Sequence, residues 1–262
     1  MKLSISNIAW SDVQDDEMYK ILHEAKFEGL EIAPTRFEPD NPYTNTASSV
    51  QKAKYLKEEY NLQISSMQSI WFGRKERIFA TSEERNILIE YTKKAIQYAS
   101  LIGCRNLVFG SPVNRTMEDP QMLDVAIDFF YKIGENAKEN GVIIAFEPNP
   151  VIYNTNFINS TSEAFDFVKK VNSKGLLVNL DLGTVIWNNE NINEIMENIS
   201  LINHIHISEP YLEKITPRDI HRDLSKLLRD NQYDKFVSIE MKKQEDTKDI
   251  KESIDYIIEV MR

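Results

Sequence analysis

One stretch of the sequence decides the fold: Gly141-Val142-Ile143-Ile144-Ala145-Phe146-Glu147-Pro148-Asn149. A glycine follows a helix-like segment, a short and dense apolar run comes next, and a carboxylate stands directly after the last apolar residue. Glycine is favoured just beyond the end of a helix because it adopts a positive φ without strain. An unbroken apolar run is typical of a parallel strand that is covered on its outer face. The stretch therefore predicts a helix-to-strand junction and a strand that ends in a charged side chain.

The same pattern recurs along the chain. Gly29, Gly103 and Gly175, together with Asn61, each precede a short apolar run in the same way. The segments between them carry apolar residues three and four positions apart, which is typical of amphipathic helices. We predict strands at about 2–8, 30–33, 62–67, 105–109, 142–146, 176–180, 202–206 and 236–239. We predict helices at about 15–27, 46–60, 81–102, 119–139, 160–171, 191–198, 217–230 and 246–261.

Eight strands that alternate with eight helices predict an α/β fold. Eight repeats over this length favour a single (β/α)8 TIM barrel, and an open doubly wound sheet is the alternative. No low-complexity segment or linker interrupts the alternation. We therefore predict one domain that spans residues 1–262.

The composition excludes several classes of protein. The chain has 31 Lys and Arg residues against 41 Asp and Glu, a formal net charge of -10, one Cys and eight Gly. A single Cys excludes an intramolecular disulfide framework, and no glycine-rich nucleotide-binding motif occurs. The acidic excess disfavours a broad nucleic-acid-binding face, because such a face needs Lys and Arg. No signal peptide or membrane-length apolar run is present, so we expect a cytoplasmic protein without a nucleic-acid or membrane partner.

Four consecutive strands are predicted to end in an ionisable side chain. These residues are Glu147, Asp181, His206 and Glu240. In a barrel the carboxyl ends of the strands surround one mouth, where active sites lie. Three carboxylates beside one imidazole repel one another unless a cation compensates them. Oxygen ligands with one imidazole favour Mn²⁺ or Mg²⁺, with Co²⁺ or Zn²⁺ as alternatives; the other interpretation is that each charged residue only begins a solvated loop.

Specific motifs at these strands give the chain a resemblance to a known family. They are Gly29-Leu30-Glu31-Ile32, Glu147-Pro148-Asn149, Asn179-Leu180-Asp181, His204-Ile205-His206 and Ser238-Ile239-Glu240. In their order and spacing the chain resembles, over essentially its whole length, the xylose-isomerase-like barrel superfamily of sugar and sugar-phosphate isomerases and epimerases. The resemblance implies that Glu147, Asp181, His206 and Glu240 bind one divalent metal ion. It further implies that Glu147 and Glu240 move protons on opposite faces of the substrate.

Two residues of these strands need separate comment. The resemblance assigns the metal ligand to His206, which leaves His204 expected to point away into the helix layer. Many relatives carry a histidine three residues beyond the strand-six aspartate, whereas this chain has Thr184. Threonine donates a hydrogen bond but is a poor metal ligand, which weakens the assignment to the well-studied 3-epimerases. The related apurinic endonucleases have a trinuclear zinc site that needs several more histidines than the two spare ones here, which weakens that assignment as well.

The reaction that the resemblance implies is proton abstraction next to a carbonyl through a metal-stabilised enediolate. Return of the proton to the opposite face of the same carbon gives epimerisation, and return to the neighbouring carbon gives aldose–ketose isomerisation. The sequence does not choose between them, nor between free and phosphorylated sugars. Another metal-dependent enzyme, such as a polyol or keto-acid dehydratase, and a non-catalytic sugar-binding barrel are the alternatives.

Further strand-end residues are candidates for contact with a small carbohydrate substrate. Glu31 and Gln68 are suited to bind hydroxyl groups. Trp71 is a candidate for an apolar wall, as are Trp10 and Trp187. Arg115 is a candidate for a phosphate or carboxylate contact, because its guanidinium group binds either in a bidentate fork. The remaining candidates for substrate contact are Asn149, Thr184, Glu209, His221 and Lys242. The exposed outer helices offer surfaces on which a homodimer could form, and the sequence does not decide the oligomeric state.

Overall fold

The computed structural model describes residues 1–262 and contains a closed barrel of eight parallel strands in sequence order. The strands are β1 (Lys2–Ser6), β2 (Gly29–Ile32), β3 (Gln63–Met67), β4 (Asn106–Phe109), β5 (Ile143–Phe146), β6 (Leu176–Asp181), β7 (Ile202–Ile207) and β8 (Phe236–Ile239). The barrel closes where β1 pairs with β8, with Leu3 beside Val237 and Ile5 beside Ile239. The prediction of a (β/α)8 TIM barrel is confirmed.

Nine α-helices lie between consecutive strands, and a tenth follows β8. They are α1 (Asp15–Glu24), α2 (Pro34–Phe37), α3 (Thr46–Tyr60), α4 (Ser82–Leu101), α5 (Leu123–Glu139), α6 (Thr161–Val171), α7 (Leu182–Asn188), α8 (Ile192–Met196), α9 (Asp219–Asp230) and α10 (Thr247–Met261). The helix predicted at 191–198 is shorter than expected and is preceded by α7, which the sequence prediction missed. None of the helices combines the length and the apolar composition that a membrane span needs.

The glycines before the strands fall into two groups that differ in backbone conformation. Gly103 and Gly141 have φ values of 77° and 66°, and Asn61 has a φ of 55°, as predicted for helix ends. Gly29 and Gly175 are not in the left-handed region. At those two junctions Lys26 and Asn172 adopt the positive φ instead. The prediction is therefore wrong for Gly29 and Gly175.

Close approach explains both of these glycines. A Cβ atom at Gly175 would lie 1.9 Å from the carbonyl oxygen of Gly134 in α5, which is far inside a van der Waals contact. A Cβ atom at Gly29 would lie 2.6 Å from the ring of Phe236 and 2.7 Å from Cβ of Ser65. The absence of a side chain thus lets α5 approach the start of β6 at Gly175, and lets Phe236 and Ser65 pack directly against the backbone of β2 at Gly29.

Aromatic side chains fill the space between one side of the barrel and its helices. Phe130 contacts Phe109, Phe129 and Phe146 edge to face, and Trp71 packs against Phe109 with ring centres 4.7 Å apart. The indole N–H of Trp71 donates to Thr92 Oγ1 of α4 at 2.8 Å. Trp71 is therefore part of the core between the layers, which contradicts its prediction as a wall of the substrate site.

The inside of the barrel is polar at its amino-terminal end. Ser4 Oγ of β1 and Ser65 Oγ of β3 are 2.6 Å apart, and the Asn203 side chain of β7 donates to Asn106 Oδ1 of β4 at 2.7 Å. Each of these contacts joins strands that are not neighbours, so it crosses the interior. Buried polar groups of this kind need partners, and these contacts supply them.

We expect Gly175→Ala to lower the free energy of unfolding by about 1–3 kcal/mol, because the added methyl group forces the turn away from α5. Gly103→Asn is the control, since asparagine tolerates the left-handed conformation and nothing lies near the Cβ position. The control should change stability by less than about 0.5 kcal/mol. Urea unfolding measures both, and equal stability of Gly175→Ala and the parent chain would contradict the close contact.

Candidate active site

Four side chains converge at the carboxyl ends of the last four strands. Glu147 follows β5, Asp181 ends β6, His206 lies in β7 and Glu240 follows β8. His206 Nδ1 lies 3.0 Å from Glu147 Oε1 and 3.0 Å from Glu240 Oε2. One nitrogen or oxygen atom from each of the four lies within 4.8 Å of the others. We call these four residues the carboxylate–imidazole cluster; the sequence-predicted ligands are thus brought together, and their roles stay predictions.

Neighbouring donors orient two of the three carboxylates. Glu147 accepts hydrogen bonds from the side-chain amides of Asn179 at 2.7 Å and Asn149 at 3.0 Å. Asp181 accepts from both the backbone N–H and the hydroxyl of Thr184 at 2.8 Å, and from the hydroxyl of Ser208. Glu240 has only His206 as a partner. Glu240 is therefore the least restrained carboxylate of the cluster.

The two glutamates have pKa values shifted in opposite directions. Burial raises the pKa of Glu240 to about 7, against the opposing positive charge of His206. Burial acts in the same direction on Glu147, but hydrogen bonds from His206 and Asn149 outweigh it and lower the pKa of Glu147. Two carboxylates whose pKa values are pushed apart are suited to act as an acid and a base at one site.

The other two members of the cluster respond to the same charges. Burial and the Glu147 carboxylate raise the pKa of Asp181. Burial opposes protonation of His206, but the surrounding carboxylates, led by Glu240, hold its pKa well above the usual value. The cluster therefore retains protons that a bound cation would displace.

Glu31 lies inside the barrel, on the side of His206 that faces away from Glu147 and Glu240. His204 Nε2 is 2.7 Å from the Glu31 carboxylate, and His206 Nε2 is 3.1 Å from it. Burial raises the pKa of Glu31, but the two imidazoles outweigh it and hold this pKa well below its ordinary value. Glu31 accepts the N–H at Nε2 of His206, so Nδ1, which faces Glu147 and Glu240, is the nitrogen that would bind a cation after losing its proton.

This placement corrects two predictions. His204 and His206 are two residues apart in a strand and therefore share a face, so His204 points into the barrel and not into the helix layer. Glu31 is fully buried against both imidazoles and has no path to a substrate hydroxyl. The sequence shows the motif that contains Glu31 but not the partners of Glu31, because the contact of β2 with β7 through the barrel interior leaves no local signal.

Arg115 is also placed differently from its prediction. Its guanidinium group is fully buried 4.8 Å from the centre of the Phe146 ring, and its Nη2 donates to Asn149 Oδ1 at 2.6 Å. Burial lowers the pKa of Arg115 to about 9. Arg115 does not reach the cavity, so it holds Asn149, which in turn donates to Glu147.

Four further candidates have partners away from any substrate. Thr184 is committed to Asp181 and to the carbonyl of Pro148. His221 is buried in α9, with Nδ1 3.0 Å from the hydroxyl of Tyr256. Glu209 is buried and accepts from the Arg218 guanidinium at 2.6–2.9 Å, and exposed Lys242 pairs with Glu213. These contacts contradict substrate binding by His221 and Glu209, and they give Thr184 a positioning role.

A cavity of about 240 Å³ opens above the cluster. Among the predicted residues it is lined by Gln68, Asn149, Glu147, Asp181 and Glu240. Its lining also includes Ile8, Ser69, Ser111, Tyr153 and Leu212, which the sequence analysis missed. These residues stand in loops beyond the strands, where no periodicity marks the side chains that turn inward. No Lys or Arg lines the cavity.

The family model described as the xylose isomerase-like TIM barrel matches residues 19–260 of the chain. No curated protein matches the chain by sequence at a significant level.

Solved structures share the fold at low sequence identity. D-Psicose 3-epimerase from Clostridium cellulolyticum H10, solved with D-tagatose, is 13% identical with a TM-score of 0.81, and 100% of each chain is covered. The 3-keto-D-glucoside 4-epimerase from E. coli, in its apo form, is 19% identical with a TM-score of 0.76 over 98% of each chain. An AP endonuclease, family 2, from Brucella melitensis is 20% identical with a TM-score of 0.76, over 94% of this chain and 95% of that one. At these identities the similarity shows a common fold.

We expect Glu209→Gln to lower the free energy of unfolding at neutral pH by about 1–3 kcal/mol, because Arg218 loses its charged partner. Hydrogen bonds from Arg218 and Thr216 overcome burial and lower the pKa of Glu209. The contribution of the ionised carboxylate is therefore present above the unfolded-state pKa of about 4.3 and is lost as the pH falls through the folded-state value.

Urea unfolding at several pH values tests this expectation. The stability difference between the parent chain and Glu209→Gln should shrink as the pH is lowered below about 4. The control is Glu213→Gln, which removes an exposed partner of Lys242 and should change stability by at most about 1 kcal/mol. A difference that grows on acidification would contradict the assignment.

Proposed function

The chain belongs to the xylose isomerase-like TIM barrel family, and from this premise we propose that it is a sugar isomerase or epimerase that moves a proton at a carbon next to a carbonyl group. The observation that carries the proposal is the pair Glu147 and Glu240, two carboxylates that line one cavity and reach His206 Nδ1 from strands three apart in the barrel. A sugar-binding protein without catalysis has no need of such a pair.

The residues of the cluster fit a divalent cation. Three carboxylates and one imidazole nitrogen offer a hard donor set of the kind that Mn²⁺ or Mg²⁺ prefers. Their spacing within 4.8 Å suits ligands around a single ion, and the burial of three like charges creates the need for one. Glu147, Asp181, His206 and Glu240 would hold it. The cation would supply positive charge at the substrate oxygens where negative charge develops.

The proton steps follow from the two glutamates. Glu147, with the lowered pKa, is ionised at neutral pH and accepts the carbon-bound proton on a carboxylate oxygen. Glu240, on the side of β8, donates a proton to the other face of the same carbon, and exchange with solvent returns both glutamates to their starting protonation states. The two residues come from β5 and β8, three strands apart around the barrel. The result is inversion at that carbon, and the reverse reaction exchanges the two roles.

The lining of the cavity favours an uncharged sugar over a sugar phosphate. It contains no Lys or Arg, while Arg115 is buried behind Asn149 and Lys242 pairs with Glu213. Asparagine, glutamine and serine side chains line it instead, and these suit hydroxyl groups. The same acidic lining argues against the phosphate backbone of a nucleic acid as substrate.

We expect the chelator-treated protein to bind one Mn²⁺ per chain and to unfold at a higher temperature in its presence. Glu31→Gln should weaken Mn²⁺ binding about 10–100-fold, because His206 loses the charged acceptor that fixes its ring. Glu38→Gln is the matched control: it makes the same change at another buried carboxylate, which accepts hydrogen bonds from Thr44, Asn45 and Ser49 and contacts no member of the cluster, and it should leave the affinity unchanged.

Isothermal titration calorimetry and thermal unfolding measure these effects. A protein that binds none of Mn²⁺, Mg²⁺, Co²⁺ and Zn²⁺ would contradict the metal site. Equal Mn²⁺ affinities of Glu31→Gln and the parent chain would contradict the role of Glu31 alone.

We expect Glu240→Gln to slow the incorporation of solvent deuterium into a ketose by about 10²–10⁴-fold, because the variant cannot exchange a proton at this position. The assay uses free and phosphorylated ketoses in D₂O, with NMR detection of the exchanged carbon. Glu213→Gln, an exposed glutamate outside the cavity, serves as the control. Undiminished exchange by Glu240→Gln would show that another group moves the proton, and exchange by the phosphorylated sugars alone would contradict the assigned substrate class.

A further inference from the structure

Three aromatic side chains form a continuous path from the cavity to the outer surface. Tyr153 lines the cavity, its ring centre lies 6.3 Å from that of Tyr211, and Tyr211 lies 5.9 Å from Trp187. Tyr153 lies in the loop after β5, Tyr211 in the loop after β7, and Trp187 in α7. We call Tyr153, Tyr211 and Trp187 the aromatic rim.

The outer part of this rim faces solvent. Trp187 is 43% exposed and Tyr211 is 54% exposed, whereas the other two tryptophans, Trp10 and Trp71, are each 2% exposed. Large aromatic side chains usually bury most of their surface, so two adjacent rings beside a cavity mark a binding surface.

The backbone that presents Tyr211 is strained and fixed. Tyr211 and Leu212 have φ values of 62° and 54°, a conformation that non-glycine residues rarely adopt in succession. The N–H of Tyr211 donates to the hydroxyl of Tyr153 at 2.9 Å, and the N–H of Lys242 donates to the carbonyl of Leu212 at 2.7 Å. A strained backbone conformation persists only where surrounding contacts stabilise it, and such conformations are typical of ligand clamps.

The size of the cavity limits what it can hold. Its volume of about 240 Å³ lies below the range of about 300–1,000 Å³ common for small-molecule pockets. One sugar ring suits such a cavity, and a second ring joined to it must project past Tyr153 onto Tyr211 and Trp187. Sugar rings present C–H groups on one face, and these pack against the faces of aromatic side chains.

We propose that the aromatic rim is a second sugar-binding subsite and that the substrate is a glycoside, whose reacting ring enters the cavity while a second pyranose ring stacks on Trp187 and Tyr211. This inference rests on the proposed function, since it deepens the substrate class of the same site.

A second copy of the chain is a weaker occupant of this surface. At about 150–250 Å² for a fully exposed aromatic side chain, Trp187 and Tyr211 together offer less than about 500 Å². A stable interface buries about 800 Å² on each partner. The direct continuity of the rim with the cavity through Tyr153 also favours a ligand that occupies both.

Tryptophan fluorescence gives a direct test, because Trp187 is the one exposed tryptophan of the three. Acrylamide quenching of the Mn²⁺-loaded protein is measured with D-fructose and with three disaccharides in which a ketose carries a second pyranose ring: lactulose, turanose and isomaltulose. We expect at least one disaccharide to shield Trp187 at concentrations at which D-fructose leaves it quenched. Equal shielding by D-fructose, no shielding by any disaccharide, or shielding that depends only on protein concentration would overturn the subsite, the last by showing self-association.

Deuterium exchange gives the second test. Trp187→Ala and Tyr211→Ala should each lower the ratio of exchange into the best disaccharide to exchange into D-fructose by about 3–10-fold, and Trp187→Phe should restore most of it. Tyr131→Ala, which removes an exposed tyrosine of α5, is the control and should leave the ratio unchanged. An unchanged ratio in both rim variants would overturn the subsite while leaving the proposed function intact. Absence of exchange into every sugar would contradict the proposed function, and the fluorescence result would still decide the subsite.

Discussion

The structure depends on how one imidazole is placed among three carboxylates. His206 lies within 3.1 Å of Glu31 on one ring nitrogen and of Glu147 and Glu240 on the other. Moving several carboxylates out of water is costly, and the cost is offset only by hydrogen bonds and by positive charge. Five nearby polar residues supply hydrogen bonds: Asn179 and Asn149 donate to Glu147, Thr184 and Ser208 donate to Asp181, and Arg115 donates to Asn149. The barrel wall supplies the positions, and this balance of charges fixes which side chains can occupy them.

Residues that line the cavity are distinct from the buried residues that hold them in position. The only charged residues that face the cavity are the carboxylates, whereas the guanidinium group of Arg115 and the imidazole of His204 lie behind them. A charge placed behind a ligand acts without touching the substrate, because the low dielectric of the interior lets it act over a longer distance. Several residues expected to touch substrate thus hold other residues in place.

Much of the fold could be predicted from the sequence, because helix ends and dense apolar strands leave local signals. The strand that carries Glu147 is an example: a glycine, an apolar run and a carboxylate follow in the order that the structure shows. The grouping of Glu147, Asp181, His206 and Glu240 was also accessible, since each follows an apolar run and a barrel brings strand ends together. The direction of His204, the buried state of Arg115 and the inward turn of Tyr153 were not, because they depend on contacts between distant segments. Gly175 shows the same limit: its neighbour in space, Gly134, is distant in sequence, and a helix end explains the residue equally well until the contact is seen.

Closure of the barrel has a consequence for the order in which the molecule is built. β1 leaves the ribosome before the other strands of the barrel, and its second neighbour, β8, is made only after more than two hundred further residues. Glu31 of β2 likewise gains its imidazole partners only when β7 has been synthesised. Glu240, the last member of the cluster, is synthesised just before α10. Contacts between such distant segments form late and slowly, because a long loop must be ordered before they are gained. During synthesis we therefore expect the early strands to expose unpaired edges, and Glu31 to lack the histidines that later cover it. The carboxylate–imidazole cluster is then among the last parts of the protein to become stable.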